Sequence, residues 1–192
     1  MGRVILGVLL AFVLAPIAVL GWLSYGSVPV AVADPPFPRE RQLTGIPLHA
    51  RIQRELVTTP PIPVNEENLV AGARLYKEKC AVCHGVHGKP SAIGGRMFPD
   101  APALWEKHHD AVVGVSDDPP GETYWRVANG IRLTGMPAYK GVLSENEMWQ
   151  VSLLLANADK PLPPSAVELL RGDAPPASAT TQAAAPDATK SQ

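Results

Sequence analysis

Cysteine is nearly absent from this chain: only two stand among its 192 residues. So low a count excludes a disulfide-knit scaffold, which needs several bridges in place of a core, and it excludes a four-thiolate zinc site. Charge of one sign is lacking too. Seventeen basic and eighteen acidic residues leave a net charge of −1, and the two signs are interspersed. No basic stripe is available for nucleic acid to follow, so nucleic-acid binding is not expected. Nor does any stretch alternate apolar and polar residues as a half-buried strand would.

The two cysteines that are present stand together, in Cys80-Ala81-Val82-Cys83-His84. Two thiols followed at once by an imidazole is the arrangement that fastens a haem covalently and supplies one axial ligand to its iron. On a helix the three residues share a face, so each sulfur can bond a porphyrin vinyl carbon while His84 reaches the iron. A disulfide between the pair would close too small a loop to constrain the unfolded chain much. A redox dithiol calls for a βαβ setting that is missing here, and zinc for more ligands than His84 or His87 readily add.

A second motif points the same way. Gly135-Met136-Pro137-Ala138-Tyr139 places a methionine between a glycine and a proline, in a rigid loop where a thioether has no obvious packing role. Met136 is the candidate second axial ligand, opposite His84. Its weakly donating sulfur would favour ferrous iron and raise the potential.

From Asn65 to about Lys160 the chain resembles the class I c-type cytochromes, which carry a single haem. The likeness rests on four features in order. The first is a helix over Leu69 to Tyr76 whose Gly72 and Tyr76 lie on one face, the face that in the family crosses the last helix. Next come Cys80 to His84 with Gly85, and then Pro102-Ala103-Leu104. In the family a proline carbonyl at this point accepts the proton of the haem histidine's outer nitrogen, and the resemblance gives that role to Pro102. Last is the Met136 loop with a helix over Ser144 to Asn157, whose Trp149 and Leu153 are expected to pack on Gly72 and Tyr76. The resemblance implies one covalently attached haem c, and chemistry limited to Fe(III)/Fe(II) cycling.

Local signals mark the helices. Asn65-Glu66-Glu67-Asn68 offers an N-cap with acids in the first turn, and Ser144-Glu145-Asn146-Glu147 is a near capping box. Gly121 to Gly130 reads as a third short helix, with Tyr124, Val127 and Ala128 inward and Asn129-Gly130 as its stop. The expected fold is all-α, a cytochrome c-like helical domain wrapped around the haem. The haem itself supplies apolar core that a domain of ~95 residues would otherwise struggle to provide.

Val4 to Leu23 carries no charge and is almost wholly apolar. About 20 such residues match the ~30 Å hydrocarbon core of a bilayer and exceed the ~7–15 residues usual in a cleaved signal, so a transmembrane helix is expected. Ala31-Val32-Ala33 before Asp34 has the form of a cleavage site, and a soluble periplasmic protein is the alternative. No cysteine follows the run to take a lipid. Arg39 and Arg41 beyond the span outnumber Arg3 before it, which by charge alone would put the domain in the cytoplasm. The resemblance argues the reverse, because haem is attached outside the cytoplasmic membrane. The expected arrangement is a single-pass protein with its haem domain facing the periplasm.

The chain therefore divides into an anchor at 1–25, a proline-rich linker at 26–64, the cytochrome domain at 65–160 and a tail at 161–192. Within the linker Leu43 to Val57 is a candidate short helix, free to lie on the membrane, dock on the domain or hold a partner. The tail, rich in Ala, Pro and Thr from Ala174 onward, is expected to be disordered.

The candidate haem-binding residues are Cys80, Cys83, His84, Pro102, Arg132 and Met136, with His84 and Met136 on the iron. Arg132 is included because a guanidinium matches a haem propionate bidentately. His108 and His109 are weaker candidates for the axial position, and Met97 and Met148 read as core or surface. The expected function is electron transfer rather than catalysis, with redox proteins and the membrane as partners. A haem subunit of a larger dehydrogenase or oxidase, and a gas-binding sensor with an open iron site, are the alternatives.

Overall fold

The computed structural model describes residues 1–108 and 111–171, so His109 and the segment from residue 172 onward lie outside it. Among the described residues seven helices follow one another: α1 (Gly2–Tyr25), α2 (Glu40–Glu55), α3 (Glu66–Lys79), α4 (Ala81–His84), α5 (Pro120–Asn129), α6 (Glu145–Leu155) and α7 (Pro164–Leu170). A 3-10 turn, Gly94–Arg96, lies between α4 and α5. Among the described residues there is no β-strand, only isolated bridges. The fold is all-α.

Capping chemistry sets the helix starts. Asn65 accepts the amide of Asn68 at 2.9 Å and opens α3, with Glu66 and Glu67 in its first turn. At α6 the box is complete: Ser144 Oγ accepts the Glu147 amide and Glu147 returns a carboxylate to the Ser144 amide at 2.7 Å. Each bond satisfies a donor that the helix itself leaves orphaned.

The core lies where α3 crosses α6. Gly72 makes the crossing close, since a Cβ there would stand 2.3 Å from the Gln150 carbonyl oxygen. Leu69, Ala73, Tyr76, Val151, Leu154 and Leu155 are buried along the seam. Fully burying each leucine stabilises the fold by about 1.5–3 kcal/mol. The partner of Gly72 is thus the Gln150–Leu154 stripe rather than Trp149. Trp149 points to α5 instead and stacks on Tyr124, with ring centroids 4.2 Å apart. Tyr76 meets Trp105 edge-on at 5.5 Å. Neighbouring helix positions lie about 100° apart around the axis, so a one-residue difference selects a different face.

Two segments outside the 65–160 bounds also pack on the domain. The linker helix runs over Glu40–Glu55 and docks on the domain, with Ile52 fully buried and the Trp125 indole N–H donating to Glu55 at 2.8 Å. The stretch beyond Pro161 does not begin as a tail. Pro164 occupies the first turn of α7, where a missing N–H costs nothing, and Ala166 and Leu170 drop into the α3 core. Lys77 Nζ caps that end by donating to the Arg171 carbonyl at 2.9 Å.

None of the residues of α1 is buried, and its mean hydropathy is 2.8 over its most apolar window. It is long and apolar enough to cross a membrane, a property that an N-terminal signal sequence shares.

Candidate functional site

The cleft between α4 and the 131–137 loop begins with a local accident of chain geometry. Cys80 breaks α3 at φ −110°, and the chain resumes as the single turn α4, tied by His84 N–H to the Cys80 carbonyl at 2.9 Å. The turn stops at Gly85, whose φ of +72° and crowding against Lys89 and Ser91 backbone exclude a side chain. Tyr76 donates its hydroxyl to the Gly85 carbonyl at 2.8 Å and fastens this wall to α3.

Cys80, Cys83 and His84 line a cleft together with Met136. Much of the rest of the lining is apolar, from Met97, Val127, Ile131 and three prolines, with Lys79, Asp100, Thr134 and Tyr139 at the margin. The two cysteines are not joined in a disulfide. Burial, and secondarily the neighbouring Cys83, push the Cys80 thiol up to about 12. Among the described residues no group of three or more His, Cys, Asp or Glu comes together to hold a metal ion.

His84 is oriented by one bond. Its Nδ1 lies 2.8 Å from the Pro102 carbonyl oxygen, which can only accept, so Nδ1 carries the proton and Nε2 keeps its lone pair. Burial holds the ring's pKa below the ordinary histidine value, with the Pro102 bond working the other way. A neutral imidazole with its outer nitrogen engaged is the form that ligates a metal.

The opposite wall is a loop. Gly130, at φ +63°, ends α5 with its N–H on the Arg126 carbonyl, and its α-carbon faces the Pro137–Ala138 backbone too closely for any side chain. Met136 donates its amide to Thr134 Oγ1 at 3.1 Å, and Thr134 Oγ1 donates to the Ile131 carbonyl at 2.8 Å. Tyr139 ties the two walls together, with its hydroxyl on the Lys79 carbonyl at 2.8 Å.

Five of the six candidate residues therefore meet in one cleft. Arg132 does not line it; the side chain is exposed on the adjacent turn. His108 does not line it either, and its ring bonds to the Gly114 carbonyl in its own loop. Met97 does, against the expectation of core or surface: its methyl group reaches the α-carbon of Gly135. A methionine in a Gly-Gly-Arg-Met-Phe-Pro turn resembles Met136 in context, and that setting is the signal that marks it.

Comparison with known proteins agrees with this geometry. Residues 67–153, a little under half of the chain, match the family model described as cytochrome c oxidase, cbb3-type, subunit III. A thiosulfate dehydrogenase of Stutzerimonas stutzeri (strain A1501) is 29% identical over 127 residues, 65% of this chain and 38% of that protein. The chain thus corresponds to well under half the length of that relative. With the Cys80–His84 turn inside the matched span, this part of the chain is a class I c-type cytochrome domain, a haem-binding electron-transfer module.

Proposed function

We propose that the domain carries one haem c, bonded through Cys80 and Cys83, with His84 and Met136 as axial ligands. The observation that carries this reading is that two thiols, a neutral oriented imidazole and a thioether line one cleft. The apolar lining suits a porphyrin. Once bound, the haem supplies one-electron redox chemistry. The chain's own part is to hold the imidazole in one tautomer through Pro102, present Met136 from the Thr134 turn, and exclude water with Val127 and Ile131. Arg132, on the same loop, offers a guanidinium to a propionate.

The helix α1 anchors the chain in the cytoplasmic membrane and the haem domain faces the periplasm. The working division is an anchor at 1–25, a connecting segment that includes α2, and a cytochrome domain that reaches through α7. The partners are redox proteins at the membrane surface. A second reading, favoured by the family description and by the dehydrogenase relative, makes the chain the haem subunit of a larger oxidase or dehydrogenase. Co-purification of a stable complex from membranes separates it from a lone carrier.

The test of ligation uses the purified holoprotein. Haem should survive acid-acetone extraction in the wild type, and the Cys80→Ala/Cys83→Ala double variant should release it. Met136→Ala should abolish the weak sulfur-to-iron band of the oxidised protein and speed carbon monoxide binding to the ferrous form. A band that persists in Met136→Ala sinks the assignment.

A further inference from the structure

The linker helix is held at both ends by contacts far apart in sequence. At its C-terminal end Glu55 accepts the Trp125 indole proton, Val57 O abuts Gly121, and Ile52 is fully buried. At its N-terminal end Arg41 pairs with Asp100 and lies over the Phe98 ring, 5.5 Å from the centroid. The helix is therefore part of the cytochrome domain's packing rather than a free spacer.

The loop that Arg41 grips touches both walls of the cleft. At one end Met97 packs its methyl group on Gly135, next to Met136. At the other, Pro102 accepts the Nδ1 proton of His84. In between, the Ala101 amide donates to the Gly94 carbonyl at 3.0 Å, and Gly94 in turn lies against the Cys83 carbonyl. Asp100 thus lies on one loop that touches the imidazole through Pro102 and the methionine loop through Met97.

We propose that Arg41 is a positioning residue for both axial ligands, acting through the 97–102 loop, so that the segment next to the membrane anchor helps set the haem site. The inference rests on the assignment of His84 and Met136 to the iron. An exposed ion pair alone contributes little, and Arg41 and Asp100 are both more than half exposed. The guanidinium is distinguished by doing two things at once, pairing with a carboxylate while lying over an aromatic ring, and the second of these an ammonium does poorly. The Asp100 carboxyl sits below its ordinary pKa, chiefly through its bond to Arg41, so the pair is ionised at neutral pH.

Three variants of the full-length holoprotein test this: Arg41→Ala, Arg41→Lys and Glu55→Gln. Two readouts are taken, carbon monoxide binding to the ferrous form and hydrogen exchange of the Ala101 amide. Arg41→Ala should accelerate both by about two- to fivefold, the range that loss of a surface ion pair spans. Arg41→Lys should fall between Arg41→Ala and wild type, because an ammonium keeps the charge but stacks poorly on the Phe98 ring. Glu55→Gln, which loosens only the far end of the helix, should change neither. Equal acceleration by Glu55→Gln would show that docking as a whole, not Arg41, sets the site. Wild-type rates in Arg41→Ala overturn the proposal. A wild-type protein without the sulfur-to-iron band that binds carbon monoxide rapidly overturns the Met136 assignment instead, and the exchange of Ala101 still reports whether Arg41 holds the loop.

Discussion

On the histidine wall of the cleft, backbone faces backbone: a Cβ at Gly94 would stand 2.2 Å from the Cys83 carbonyl oxygen. On the methionine wall, a Cβ at Gly135 would meet only the end of a side chain, the Met97 methyl group. Both approaches are too close to exist as drawn, but they differ in what can yield. Peptide groups fixed by α4 and the 3-10 turn cannot move without breaking hydrogen bonds, whereas an unbranched thioether has three rotatable bonds to swing on. The imidazole proposed as one ligand, which must keep a single tautomer, thus sits on the rigid wall, and the thioether proposed as the other sits on the compliant one.

The largest expected effect breaks this comparison directly. Gly94→Ala forces a methyl group into backbone and should cost about 3 kcal/mol, the upper part of the usual range for overpacking. Gly135→Ala should cost less than about 1 kcal/mol, because Met97 moves aside. Urea unfolding of the two holoproteins measures both. Equal losses would show that the methionine wall is as rigid as its opposite.

A hydroxyl serves each wall, and the pair gives the next test. Ser91 Oγ donates to the Val82 carbonyl at 2.6 Å and accepts the amides of Ile93 and Gly94 at 3.2 and 2.9 Å. Thr134 makes one bond as donor and one as acceptor within the six residues 131–136. Ser91→Ala strands a buried Gly94 donor and should cost about 2 kcal/mol, against about 1 kcal/mol for Thr134→Val. The consequences should differ in kind as well. Ser91→Ala should lower the unfolding midpoint with little change in carbon monoxide binding, while Thr134→Val should speed that binding. The comparison fails if Ser91→Ala accelerates binding more than Thr134→Val does.

This asymmetry bears on what is legible in the sequence. Cys80, Cys83 and His84 are readable because their chemistry is contiguous, and Met136 because glycine and proline flank it. The starts of α3 and α6 are readable because Asn65 and Ser144 satisfy orphan amides within three residues. What escapes depends on distant partners. The docking of α2 rests on Arg41 with Asp100 and on Glu55 with Trp125, pairs 59 and 70 residues apart. Helical spacing alone sets Trp149 against Gly72, and its turn toward Tyr124 is decided by where α5 packs. Helix α7 does carry a local signal, Pro164 at its start with Ala166 and Leu170 four apart, but Pro161 and Pro163 just before it outweigh that signal.

The smallest expected effect concerns Leu133, which sits at φ +61° on the methionine wall with 92% of its surface exposed. A γ-branched side chain in the left-handed region costs roughly 1–2 kcal/mol through contact of Cβ with the following carbonyl, and burial offsets none of that here. Glycine would remove the strain but would loosen the unfolded chain by about 0.4–1 kcal/mol, so Leu133→Gly should stabilise by at most about 1.6 kcal/mol. Asparagine tolerates the same conformation without the entropic loss, and Leu133→Asn should match or exceed it. Backbone strain persists where the surroundings impose it, and it is concentrated at sites of function. Relieving it should therefore leave the fold slightly firmer and, if the turn geometry is what presents Met136, should leave the sulfur-to-iron band unchanged. A gain in stability accompanied by a weakened band would mean that the strained leucine itself helps hold the methionine loop in place, and the compliant wall would then owe its shape to a residue that touches almost nothing.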